Sequence, residues 1–97
     1  MILARITFHA KFGKAAQVVQ MLKQARSAEG GDAQQMRILT DLGGRFDTVT
    51  LERVAESMAA MERGRAAMFA SPQYQQNGPQ MHDLIDWGSA EFYTIEE

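Results

Sequence analysis

The chain has 97 residues, 45% of them apolar, a formal charge of −2 and no cysteine. That is one globular domain with a modest core, too apolar to be disordered. Disulfide and thiolate chemistry are excluded. Acids and bases are interspersed with no basic block, so neither nucleic acid nor an anionic membrane surface is expected as partner, and a cytoplasmic protein is expected.

Residues 2–9 alternate. Ile2, Ala4, Ile6 and Phe8 point one way, and Leu3, Arg5, Thr7 and His9 the other, which predicts a strand with one dry and one mixed face. The start lacks the basic lead and apolar run of a signal peptide. No stretch reaches the roughly 20 apolar residues that span a bilayer. Residues 14–26 carry Ala15, Val18, Val19, Leu22 and Ala25 at helical spacing, and the glycine pair in residues 28–32 reads as a loop.

Residues 35–42 and 45–53 alternate again. Gly43-Gly44 between them predicts a two-residue hairpin turn, because paired glycines accept positive φ. Residues 55–69 are rich in helix formers. Ser71-Pro72 reads as a helix cap and first turn. Asn77-Gly78-Pro79 predicts a break into two short pieces, since Pro79 removes a donor and disfavours α geometry before it. Gly88 is expected to end the second piece, with a last strand from about Ala90.

The order β-α-β-β-α-(short α)-β predicts an α+β, ferredoxin-like antiparallel four-stranded sheet, with helices on one face, spanning residues 1–97 as a single domain. The bare face, with its Leu and Tyr, is expected to be covered by a second copy.

Two segments resemble a known family. Met68-Phe69-Ala70-Ser71-Pro72-Gln73-Tyr74, and Leu84 onward through Trp87-Gly88-Ser89-Ala90-Glu91-Phe92-Tyr93, are similar to the C-terminal half of NIPSNAP-like dimeric α+β barrel proteins, which group with antibiotic-biosynthesis-monooxygenase-type proteins. Phe12-Gly13 before the first helix fits the same pattern. Asn77-Gly78-Pro79 departs from it. The resemblance implies a homodimer with a shared barrel and a cavity between each sheet and its helices. It also implies cofactor-free oxygenases, heme-degrading enzymes and isomerases among the relatives. The heme-degrading type carries Asn on the first strand and Trp before His. Here that strand has Thr7, and His82 precedes Trp87, so that type is rejected.

Five residues are expected to bind ligand: Arg65, Tyr74, His82, Trp87 and His9. Arg65 falls amid Val54, Met58, Met61, Met68 and Phe69, and a guanidinium there needs a partner or a way out to solvent. It is read either as snorkelling or paired to Glu62 or Asp47, or as a cation facing the sheet–helix space that orients a carboxylate or enolate. His82, near Asp83 and Asp86, is a surface histidine or a general base. His9 ends the first strand and serves a loop edge or a site. Trp87 and Tyr74 either wedge the short helix or line a pocket. The methionines read as core filler. No metal-ligand spacing or phosphate-cradling loop occurs, so no cofactor or metal is expected.

Two functions follow as expectations. One is a small-molecule-binding barrel, acting without cofactor as a monooxygenase or isomerase on an aromatic or enolisable substrate. The alternative is a non-catalytic interaction or regulatory module of the same fold.

Overall fold

The computed structural model describes residues 1–29 and 36–97. Of the loop expected at residues 28–32, residues 28 and 29 instead continue the first helix, as good helix formers, and residues 30–32 lie outside the described residues, as does the first residue of the second predicted strand, Gln35. The elements are β1 (Ile2–Ala10), α1 (Ala15–Glu29), β2 (Arg37–Thr40), β3 (Thr48–Ala55), α2 (Met58–Ala70), α3 (Pro72–Leu84) and β4 (Ile85–Thr94). They form an antiparallel sheet of order β2-β3-β1-β4, the predicted ferredoxin-like α+β fold. No helix of the described residues is long and apolar enough to cross a membrane.

Cross-strand partners share a face, so the register assigns every strand residue to one side. Phe8, Val49 and Ile38 face the helices, where Val18 and Leu22 of α1 close on them with Met81, Leu84 and Ile85. Val18 and Val49 are fully buried. The stripe read from the sequence is therefore the core-facing side of α1. Among the described residues no element covers the opposite face. Its rows run Arg37, Glu52, Arg5, Glu91; then Leu39, Thr50, Thr7, Ser89; then Thr48, His9, Trp87.

Four further expectations on local structure are corrected. The β2–β3 link is wider than a two-residue turn. A Gly43-Gly44 turn would pair Ile38 with Val49, whereas Ile38 pairs with Leu51. The slip is two residues, so each side chain keeps its predicted face. Gly44 does take a positive φ of 83°, and Asp47 takes 57°. The link is held by Thr48 N–H to Asp41 Oδ1 at 3.1 Å and Thr48 Oγ1 to the Arg45 carbonyl at 3.0 Å. Asp47 ties it to the β1–α1 turn, accepting from Ala10 N–H on its carbonyl and from Gly13 N–H on Oδ2, both at 2.9 Å. These bonds hold an aspartate in a conformation that few L-residues adopt.

The helix predicted from residue 55 starts later, because Ala55 still pairs with Ile2 and Ser57 caps α2 through Ala60 N–H. Ser71 does cap α3 as read. Its Oγ accepts from Tyr74 N–H, and it donates to the Met68 carbonyl from both N–H and Oγ.

The predicted break at Asn77-Gly78 is absent: α3 runs unbroken through Pro79. Gly78 has no Cβ to clash with the proline ring, so the usual bar on helix geometry before proline is weak. The carbonyl left without its donor belongs to Gln75, one turn earlier. Both Gln75 and Pro79 are exposed, so the missing bond costs less than it would inside a buried helix.

Gly88 does not end a helix. It sits inside β4, which begins at Ile85. A Cβ there would meet the Thr7 carbonyl oxygen at 2.9 Å. The glycine is needed for close backbone approach, next to an irregular register in which Asp86 is the extra residue between the pairs His9–Trp87 and Ala10–Ile85.

Candidate functional site

The structure separates the five predicted ligand residues. His9 and Trp87 are cross-strand partners on the open face, their rings stacked with centroids 3.8 Å apart. Arg65 and Tyr74 lie at the α2–α3 junction on the far side of the sheet. Arg65 is exposed, and the expectation that it faces the sheet–helix space is corrected. Its guanidinium lies over Phe69, 5.5 Å from the ring centre, and Phe69 meets Tyr74 edge-on. The physical reason is the turn of the helix. Met61 is the buried residue of α2, and Arg65 one turn on is drawn outward to solvent along Phe69. His82 is exposed in the last turn of α3.

Around His9 the sheet holds a pocket of about 320 Å³. It is lined by His9, Leu39, Thr40, Thr48 and Thr50 of the strands, with Asp41, Gly43 and Arg45 of the β2–β3 link along its rim side. The cavity on this face differs in place from the sheet–helix cavity that the family resemblance implies. Arg45 extends over the Trp87 ring, 5.0 Å from its centre. Trp87 thus carries a stacked imidazole and a guanidinium together. Among the described residues no carboxylate lies within ion-pair distance of Arg45. Asp41 spends one oxygen on Thr48 N–H.

The His9 pKa is held below the usual 6.5, first by burial and then by the Arg45 charge. Its imidazole is therefore neutral at pH 7. Nδ1 is buried with no hydrogen-bond partner among the described residues, which leaves Nε2 as the nitrogen a ligand can reach.

Arg45, Asp41, Thr48 and Thr50 were not singled out as site residues from the sequence. Arg45 reads as an ordinary hairpin-tip arginine, and only the register that puts Trp87 opposite His9 gives it a role. Thr48 and Thr50 share a sequence alternation with Glu52, and that alternation was the one available signal.

The second feature of the open face is Glu52. It is 3% exposed although its row faces outward, accepting from Arg5 Nε at 2.9 Å and from Arg37. Hydrogen bonds from Arg37 and then Arg5 keep its carboxyl below the ordinary carboxylate range. At the end of the same row, Glu91 accepts from the hydroxyl of Tyr93, which stands in the adjoining row opposite Leu3. Among the described residues no cluster of metal-ligating side chains occurs.

No family model matches the sequence, and no curated protein matches it either. Solved structures do match the fold over its whole length. A NIPSNAP-domain protein from Burkholderia xenovorans is 18% identical, with 99% of this chain and 95% of that one covered at a TM-score of 0.78. A NIPSNAP-family protein from Agrobacterium tumefaciens is 12% identical, with coverage of 99% and 93% and a TM-score of 0.83. A candidate antibiotic biosynthesis monooxygenase from Deinococcus radiodurans is 18% identical, with coverage of 100% and 94% and a TM-score of 0.75. The chain's structural neighbours are thus the NIPSNAP and antibiotic-biosynthesis-monooxygenase proteins that its C-terminal motifs resemble, and what it shares with them is the ferredoxin-like α+β fold.

Proposed function

We propose that this protein binds a small molecule in the His9 pocket and works as a homodimer whose open sheet faces pack on each other, so that the pocket comes to lie in the space between the two sheets. The observation that carries the binding reading is the convergence of His9, Arg45, Thr48 and Thr50 on one pocket of about 320 Å³. That volume is at the small end of the roughly 300–1,000 Å³ of ligand sites. The dimer is supported by Leu39, Trp87 and Tyr93, large apolar side chains left more than one-third exposed on the open face.

The chemistry that fits best needs no cofactor. A neutral His9 takes a proton from a carbon beside a carbonyl, the enolate gathers its charge beside Arg45, and the proton returns at a second carbon. Atoms balance with no other reagent, so the reaction is an isomerisation of an enolisable substrate. The variant suggested by the neighbour described as a monooxygenase takes dioxygen as co-substrate: the enolate carbon bonds to O2 to give a hydroperoxide, which loses water to leave a new carbonyl, so one oxygen stays on the oxidised carbon and the other leaves as water.

A second reading has its own support. Phe12 and Phe46, 85% and 72% exposed, meet edge-on outside the pocket, and Leu42 of the same β2–β3 link is fully exposed, as in an interaction module.

Sedimentation at micromolar concentration tests the dimer, and a compact monomer removes it. A thermal-shift screen of small enolisable and aromatic compounds on parent and His9→Gln tests the pocket. Stabilisation of the parent that the variant loses supports binding there. Equal shifts in both, or none in either, favour the interaction module.

A further inference from the structure

The geometry points to a ligand class for this pocket: a small planar carboxylate that also carries a hydroxyl or amine donor. The inference rests on the pocket being a ligand site and goes on to say what the ligand must look like.

Three observations carry it. Arg45 is exposed at the rim and has no carboxylate within ion-pair distance among the described residues, so its guanidinium stands open to an anionic ligand. A planar fork of donors suits a carboxylate, which accepts two parallel hydrogen bonds. Asp41 stands on the same rim with one oxygen committed to Thr48 N–H and the other left to accept. A bare dianion would be repelled there, whereas a donor group on the ligand is taken up. The rest of the lining is Leu39, His9, Thr40, Thr48 and Thr50; the Thr48 hydroxyl is committed to the Arg45 carbonyl and that of Thr50 lies 3.4 Å from Thr7 Oγ1, which calls for a flat body with few polar atoms. Small size follows from the volume.

The test uses 4-hydroxybenzoate, benzoate and 4-hydroxybenzamide as probes on the full chain. Trp87, the chain's only tryptophan, touches both His9 and Arg45, so its emission reports the site directly. Thermal melts run in parallel. 4-Hydroxybenzoate should bind saturably, with 4-hydroxybenzamide and benzoate each weaker by about tenfold, the scale of one hydrogen bond to a charged group. Arg45→Met should weaken the acid to the level of the amide and leave the amide unchanged. Asp41→Asn should erase the difference between 4-hydroxybenzoate and benzoate. Its amide oxygen still accepts from Thr48 N–H, so the link stays folded, and unchanged melts of the free variants check this. An amide that binds as well as the acid, or an acid indifferent to Arg45→Met, overturns the carboxylate class while the pocket stands. A benzoate affinity equal to that of 4-hydroxybenzoate in the parent overturns the donor requirement. Silence of all three probes overturns the class, and the pocket reading falls with it only where the wider screen on parent and His9→Gln is silent too.

Discussion

Arg5 and Glu52 stand opposite each other across the β1–β3 pair, with Arg5 Nε 2.9 Å from Glu52 Oε2. Arg37, opposite Glu52 from β2, holds the other carboxylate oxygen. One buried acid thus joins three strands on the open face. Both arginines keep much of their surface in water, with side chains 41% and 69% exposed. The arrangement differs from a sealed ion pair, because only the carboxylate bears the full cost of leaving water. Glu52→Gln keeps the shape but loses the charge. It should destabilise the fold by about 1–2 kcal/mol, below the 3–5 of a fully buried pair because the freed guanidinium groups hydrate. Urea unfolding measures it, and a change within about 0.5 kcal/mol, as at ordinary surface sites, contradicts the account.

The pH dependence has two windows. In the unfolded chain Glu52 titrates near its ordinary 4.5, while in the fold it stays charged to lower pH because Arg37 and Arg5 donate to it. Between those values the unfolded chain holds a proton that the fold lacks. The Glu52 contribution is complete above 4.5 and is lost as pH falls through the folded value. His9 acts in the same direction at higher pH. Its folded pKa is below 6.5, so stability also falls as pH drops from 6.5 toward that lower value. Melts from about pH 8 downward should show a first loss that His9→Gln removes and a second, more acid loss that Glu52→Gln removes. A single acid transition unaffected by either change contradicts both assignments.

Gly88→Ala is expected to be costly for a reason unrelated to turns. The added Cβ would sit 2.9 Å from the Thr7 carbonyl, a backbone atom that cannot step aside without breaking the β1–β4 ladder. A loss of about 1–3 kcal/mol is expected, the range for overpacking. Trp87 and His9 flank the strained pair, so Trp87 emission should shift as well. A melt within a degree of the parent with unchanged emission would show that the strands can separate freely.

The architecture was legible because each layer leaves a period in the sequence. Val18 and Leu22 recur at helical spacing, and Phe8, Val49 and Ile38 occupy alternate positions of their strands, so the core face followed from order alone. The register did not. A glycine pair signals a turn but not its width, and Asp47, whose bonds to Ala10 and Gly13 widen the link, has no local signature. The site was half legible for the same reason. His9 and Trp87 read as site residues, but their stacking depends on β4 starting at Ile85 rather than after Gly88. Arg65 was misplaced because a helical wheel assumes the whole apolar stripe faces inward. Only Met61 of α2 is buried, and the wheel cannot say how much of a helix the sheet covers.

The continuity of α3 gives the last prediction. Pro79 sits in its interior and leaves the Gln75 carbonyl without a helix donor, while Gly78 avoids the clash that proline imposes on the residue before it. Around the position of a Gly78 Cβ there is nothing within 4 Å apart from its chain neighbours, so packing does not confuse the test. Pro79→Ala should stabilise by about 1–2 kcal/mol: it restores one helical hydrogen bond and removes the ring clash, less the entropy that proline withholds from the unfolded chain. Gly78→Ala should depend on its neighbour. With Pro79 present, the new Cβ meets the proline ring and the fold loses stability. On the Pro79→Ala background, the same change should gain about 0.5–1 kcal/mol from helix propensity alone. Thermal melts of the parent, both single variants and the double variant close the cycle. A Gly78→Ala effect of the same sign on both backgrounds would mean that the helix passes Pro79 for some reason other than the missing Cβ.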